Sequence, residues 1–413
     1  MSKLSQRFRH QALGALILGA AGLLTAPACS PELSSISEIA SLRIFGVRKS
    51  APYAAPGETV ELELLWDAGG EIDRTKVQRF FTFFCLNPLG DSFESCLAAP
   101  PAVPPAFGFN QDRFSIQIPP GAVQPPYPGG PAVPFGLAVV FYGICNGSLT
   151  LAGIPLIPDG SAGASGIGAG GPSGLAGSAG ISGVGGALAL PGSGGLGLAG
   201  AAALPASGGG AGIDLAEVAA LPKCEGPDGE ELGSDDFVIG YSQIFIYDQF
   251  RNNNPIITGF RVDGKDVTPD CVDEACVGEP LDPDTISGCG PGIVCFDACA
   301  EGQPCNAVPI QPVIDQSSAE PDLVSEASGE SGLQEGLWVS YFYDRGSVTG
   351  ALRLVNDAVT GWNGDYGTKF IPPAEPGPVR LWAVVRDNRG GMAWVRIPAY
   401  VRASDGAGGA GGP

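Results

Sequence analysis

Histidine is all but missing from this 413-residue chain: the only one is His10. It lies in the first 28 residues, so the chain beyond them carries no imidazole. That absence excludes Ser-His-Asp and Cys-His nucleophile systems, histidine general bases and histidine metal ligands. Enzymes that work through two carboxylates pass this filter, but among 43 acidic residues no motif singles out a pair. Basic charge is scarce as well. Lys and Arg number 22, and without residues 1–28, which hold Lys3, Arg7 and Arg9, the net charge moves from −21 to −24. Such a balance argues against nucleic acid as a partner. Nucleophile elbows, phosphate-binding loops leading into helices, and sustained helical periodicity are also lacking. The apolar run at residues 12–24 is too short to span a bilayer as a helix.

Cysteine, by contrast, is present eleven times. The first, Cys29, ends a segment built like an export signal, with Lys3, Arg7 and Arg9 before the apolar run. The junction Leu24-Thr25-Ala26-Pro27-Ala28-Cys29-Ser30 resembles the lipobox cleaved by the bacterial lipoprotein signal peptidase. The resemblance implies acylation of Cys29 on its sulfur and its new amino terminus, and several acyl chains make a stable anchor. Ser30, where an Asp would retain the protein at the inner membrane, implies the outer membrane. Ala26 and Ala28 also form an A-x-A site at the same bond, which would leave Cys29 a free thiol on a secreted protein. Parity favours the lipid, because the remaining ten cysteines can pair completely.

Strand signals begin after a polar tether at residues 29–40. Val60, Leu62, Leu64 and Trp66 alternate with their neighbours in the period-2 pattern of a half-buried strand. Residues 42–48, 79–86, 114–118, 137–145, 238–247, 256–262, 337–343, 379–385 and 392–397 read similarly, between Gly-, Pro- and Asp-rich turns. Asn146-Gly147-Ser148 fits a glycosylation triplet but reads as a turn, and Asn252-Asn253-Asn254-Pro255 as a turn or linker. Asp387-Asn388-Arg389-Gly390-Gly391 is the turn of a closing hairpin. Short strands at this spacing predict an all-β chain of two sandwiches, with Trp338, Trp382 and Trp394 expected in the core of the second.

Two insertions interrupt the strands. Residues 160–213 hold 21 glycines and no charged or aromatic residue, and read as a low-complexity linker better than as a collagen-like repeat. Cys145 and Cys224 flank it and could tie its base, while Cys85 and Cys96 could close a hairpin. Further on, Cys271, Cys276, Cys289, Cys295, Cys299 and Cys305 crowd into 35 residues. Their spacing lacks the paired C-x2-C of zinc sites, and an exported compartment is oxidising, so a three-disulfide staple is expected, its connectivity open among fifteen. Residues 266–336 carry 15 acidic residues and no basic one. Calcium would be the functional reading and a solvated, self-repelling surface the bland one; no EF-hand-type loop is present and no cofactor or metal is assigned. Trp362 and Tyr366, in a Gly-rich turn, could stack on a sugar but more simply fold back onto the sandwich edge.

The lipobox-like cysteine, the strand Leu42-Arg43-Ile44-Phe45-Gly46-Val47, Pro56-Gly57-Glu58-Thr59-Val60 and the hairpin from Leu381 to Gly391 together resemble bacterial surface lipoproteins with tandem immunoglobulin-like or PKD-like domains. The strand signals and composition divide the chain into two sandwiches, at 41–250 with a Gly-rich insert at 150–235 and at 256–401 with a Cys-rich, acidic insert at 270–335, followed by a small-residue, disordered tail at 402–413; the resemblance implies that both sandwiches are immunoglobulin-like. It implies a surface module held to the membrane by the Cys29 lipid, with an envelope protein or polysaccharide as partner and no catalytic residues. The alternative is a carboxylate-dependent hydrolase of envelope or extracellular polysaccharide.

Overall fold

The computed structural model describes residues 37–69, 72–86, 107–126, 132–151, 154–155, 222–277, 286–299 and 305–403. Cys29, Cys96, the Gly-rich tract at 160–213 and the tail beyond 403 lie outside them. The described residues belong to one compact unit running from Ile36, and they are almost entirely β.

The first half contributes β1 (Leu42–Lys49), β2 (Tyr53–Ala54), β3 (Thr59–Ala68), β4 (Gln78–Leu86), β5 (Phe107–Phe109), β6 (Arg113–Gln117), β7 (Gly136–Cys145), β8 (Ser148–Leu151), β9 (Ile154–Pro155), β10 (Lys223–Glu225) and β11 (Phe237–Ile246). The second contributes β12 (Ile257–Val262), β13 (Lys265–Val267), β14 (Cys271–Val272), β15 (Val294–Asp297), β16 (Val308–Ile314), β17 (Leu337–Tyr343), β18 (Ser347–Val348), β19 (Leu352–Asp357), β20 (Gly361–Trp362), β21 (Thr368–Ile371), β22 (Gly377–Asp387) and β23 (Met392–Arg402). Among the described residues one short α-helix, α1 (Leu323–Ala327), is capped by Asp322, whose side chain accepts from Ser325 N.

In the first sandwich, sheet β1-β3-β6 faces sheet β2-β11-β7-β4-β5. Val60, Leu62 and Leu64, every second residue of β3, meet Phe81, Val140, Ile144 and Ile244 in a buried core. In the second, β13-β12-β16-β21-β18 faces β14-β23-β22-β17-β19-β20, with β15 parallel to β23 at its edge. Its core takes alternate residues of β22 (Val379, Leu381, Ala383, Val385) and of β23 (Ala393, Val395, Ile397, Ala399). The intervening residues are buried too, because the outer face of β1-β3-β6 packs onto the outer face of β23-β22-β17. The result is four sheets stacked with three buried layers between them, and the middle layer joins the sandwiches.

Two expected boundaries and one expected core placement change. Residues 37–40 are not tether: Ile39 is buried in the middle layer and its amide donates to Tyr343 O, while Tyr343 N donates back to Ser37 O. The range 270–335 is not an insert throughout, since β16 lies inside it and pairs with β12 on one side and β21 on the other. Pro309 and Pro312 hide this strand, because proline inside a run demotes it on sequence grounds. And Trp382 and Trp394 sit in the layer between the sandwiches instead of in the second core, with Trp338 only half-buried. Strand alternation places side chains on a face without telling which face is wet.

Candidate functional site

The middle layer is where the chain concentrates its buried charge, and its geometry begins with a register change. β1 pairs with β3 as Ile44↔Trp66 and then Gly46↔Leu65, a bulge that leaves Phe45 unpaired and aimed outward. Phe45 lies 4.6 Å from Phe342 and 5.4 Å from Trp382, ring centre to ring centre. The next residue, Gly46, leaves room for the end of the Met392 side chain: a Cβ there would stand 2.4 Å from Met392 Sδ, which would have to swing aside. Leu65, Val384 and Trp394 complete the apolar part.

At its centre is Asp67, on the outer face of β3 and wholly buried. Its Oδ1 receives Arg380 Nη1 at 2.8 Å and pairs with Arg74 Nη1 at 2.8 Å, and its Oδ2 accepts from Trp382 Nε1 at 3.2 Å. Arg380 Nε also donates to Asp344 at 2.9 Å. Burial alone would lower the Arg380 pKa, but Asp67 and Asp344 outweigh it and hold the guanidinium above its ordinary value. One carboxylate from the first sandwich therefore engages an arginine and a tryptophan of the second. Nearby, Arg386 crosses in the other direction, donating to Phe45 O and to Ser340 Oγ, its pKa pushed down to about 10 by burial.

A second cluster closes the layer at the β22–β23 turn. Asp387 Oδ1 accepts from Arg389 N and Gly391 N, and its Oδ2 from Asn252 Nδ2. Asn254 donates to Lys49 O and accepts from Met392 N, so the linker between the sandwiches is clipped to both. Arg389 pairs with Glu335 and lies over the Tyr53 ring, 5.7 Å from its centre. Glu335 is pushed up to about 8, by burial first and then by Asp387. Lys49 Nζ donates to Gln243 O at 2.9 Å, and the turn can pass over it only because position 390 is glycine: a Cβ there would be 2.5 Å from Nζ, and its φ is +95°.

Burial pulls Lys49 down to about 8, against a weaker opposite pull from Asp387. Between pH 8 and the ordinary lysine range the unfolded chain therefore binds more protons than the folded one, so folding stability rises with pH there. Raising pH from 8 to 9.5 is expected to add about 1.5 kcal/mol through Lys49, opposed in part by Glu335, whose raised pKa makes its contribution fall with pH in the same window; the net rise is read from urea midpoints. Lys49→Met should flatten that rise, and an equal rise in the variant would remove Lys49 as its cause.

The cysteines fall as follows. Cys145 is bonded to Cys224, Cys271 to Cys276, Cys289 to Cys295 and Cys299 to Cys305, while Cys85 is also disulfide-bonded. Cys145–Cys224 stands beside the β8–β10 pairing that brackets residues 156–221. Cys271–Cys276 has a further role. The 3-10 turn Asp273–Cys276 reaches both sandwiches: Asp273 accepts from Trp394 N and Nε1, Glu274 receives Arg48 at 2.8 Å, and Arg113 donates to Glu274 O.

The acidic stretch is thus not simply a solvated surface. Asp270, Glu274 and Glu335 meet Arg396, Arg48 and Arg389, all supplied from outside it. Sequence reasoning sees the segregation of charge but not partners brought in from distant strands. The Trp362–Tyr366 pair folds back on the sandwich: Tyr366 is buried and its carbonyl accepts from Tyr341 Oη at 2.9 Å.

No family model matches the chain, and no curated protein matches it. Among solved structures, the native conformation of alpha-2-macroglobulin from Escherichia coli aligns at 10% identity and TM-score 0.19, covering 88% of this chain and 16% of that one. The trypsin-activated form of the Escherichia coli protein aligns at 11% identity and TM-score 0.19, covering 89% of this chain and 17% of that one. The chain spans less than a fifth of the length of these proteins, and scores this low carry no argument about its fold or function.

Proposed function

We propose that the chain is a non-catalytic cell-envelope module, anchored through an acylated Cys29, whose two sandwiches act as one stiff body for binding or spacing. The observation that carries this reading is the middle layer. Its buried charged groups, Asp67, Arg380, Glu335 and Arg389, are engaged in contacts that hold strand to strand or sandwich to sandwich. A hydrolase of the two-carboxylate type needs its acids facing a cleft and substrate; Asp67 and Glu335 face arginines instead. Only residues 30–36 separate Cys29 from the packed Ser37, a reach of at most about 28 Å at full extension. A lipid on Cys29 would therefore keep the sandwiches close to the membrane surface.

The anchor is tested by feeding cells labelled palmitate and fractionating membranes. Label and membrane association are expected for the wild-type chain and lost in Cys29→Ser. A wild-type chain that takes up no label and is released to the medium contradicts the anchor.

A further inference from the structure

A cavity of about 630 Å³ opens at one side of the second sandwich, where its two sheets part. The β12–β13 hairpin bounds it on one side, and β15 with the residues around it on the other. Its floor is the sandwich core. Val262, Val294 and Phe296 are buried members of that core, and Val267 and Val308 pack against it.

Both walls end in strands with a single neighbour: among the described residues, β13 pairs with β12 alone and β15 with β23 alone. Ala298 N donates to Arg402 O. Strand alternation then turns the backbone groups of Val294 and Phe296 toward β23, and those of Cys295 and Asp297 away from it. Residues 292–299 line the cavity without a break, so this open edge runs along it. Cys289–Cys295 and Cys299–Cys305 stand near the two ends of the strand. A four-residue strand with one neighbour has little packing to hold it, and the two cross-links restrict the chain leading in and out of it, which keeps an ordered edge on offer.

We propose that this cavity takes an extended segment of a basic partner polypeptide, added to β15 as a strand. Ladder hydrogen bonds to Cys295 and Asp297 supply the pairing, and alternate apolar side chains of the segment reach the cavity floor. Charge selects the partner. Asp263 and Asp297 line the opening against Lys265 alone, and residues 266–336, which supply the β15 wall, carry 15 acidic residues and no basic one. A second copy of this chain, with its net charge of −21, would bring like charge, whereas a basic segment is complementary. The proposal names a partner class for the binding role stated above but does not need the Cys29 anchor, so loss of palmitate labelling would leave it standing.

The test is fluorescence anisotropy of a labelled heptapeptide alternating lysine and valine, titrated with the full chain, disulfides intact, at constant ionic strength. One control is the same peptide N-methylated along its backbone, which keeps every side chain and removes the strand hydrogen bonds; the other alternates glutamate and valine. The lysine–valine peptide is expected to bind saturably, at least about tenfold more tightly than either control, and to slow hydrogen exchange at the Cys295 and Asp297 amides. Asp297→Pro, which removes an outward amide and leaves the ladder to β23, should weaken binding by about tenfold, and Asp297→Asn, which removes only a charge, by less. The proposal falls if no binding saturates, if the methylated peptide binds as tightly, or if a folded Asp297→Pro binds like wild type. A chain that sediments as a dimer and releases its partner when the peptide binds would assign the cavity to a second copy and overturn the proposal too. Should Asp297→Pro fail to fold, the methylated peptide on the wild-type chain decides alone.

Discussion

Asp67→Ala is expected to lower folding stability by about 3–5 kcal/mol, the range found when one partner of a buried ion pair is removed. The substitution takes the shared carboxylate, itself wholly buried, from Arg380 and Arg74 and the acceptor from Trp382 Nε1. Arg380 keeps Asp344, which moderates the loss, but Asp344 sits on one side of the guanidinium and cannot replace the contact to Asp67. Asp67→Asn retains an acceptor for Trp382 while losing the charge, so it should fall between wild type and alanine. Urea unfolding followed by both tryptophan fluorescence and far-ultraviolet dichroism checks this. A change under about 1 kcal/mol in Asp67→Ala, typical of an exposed pair, would show that the layer is open to solvent.

Removing the Cys145–Cys224 bond has a comparable expected cost through a different physics. The bond closes a separation of 79 residues, and chain entropy assigns such a loop about 4.5 kcal/mol, against about 2 kcal/mol for the six-residue separation of Cys289–Cys295. Cys145→Ala with Cys224→Ala should therefore destabilise by roughly twice as much as the corresponding pair at 289 and 295. It should also loosen the β8–β10 pairing first, because Leu149, Cys145 and Cys224 form one small buried cluster with Phe80. Calorimetry of the two double variants gives the ratio. Equal losses would mean that local packing, and not the length of the closed loop, sets the contribution.

Period-2 alternation made the long strands legible in the sequence. β1, β3, β4, β6, β7, β11, β12, β17, β22 and β23 stand where hydrophobic patterning predicts them, within a few residues. β16 escapes because two prolines sit in it, and β14 and β15 because they are short and flanked by cysteines. The middle layer was not legible as such. Its traces were there: β22 and β23 read as nearly unbroken apolar runs, the mark of strands buried on both faces, and Arg380, Trp382, Arg386 and Arg396 are spaced by even steps within them. Which sheet covers that second face is a matter of tertiary packing, and the bulge that turns Phe45 toward it is signalled locally by a single glycine inside a strand, Gly46. Likewise Asn252 and Asn254 read as turn residues, although their side chains tie the linker down.

That the two sandwiches behave as a single body is measured most directly by native-state hydrogen exchange across a denaturant series. β3 in the first sandwich and β22 in the second meet through Asp67, Arg380 and Trp382. The slowest amides of both strands are predicted to share one opening free energy and one denaturant dependence in the wild-type chain. Slowest amides of β3 and β22 that open with separate free energies and separate denaturant slopes, each sandwich unfolding while the other stays closed, would contradict the account.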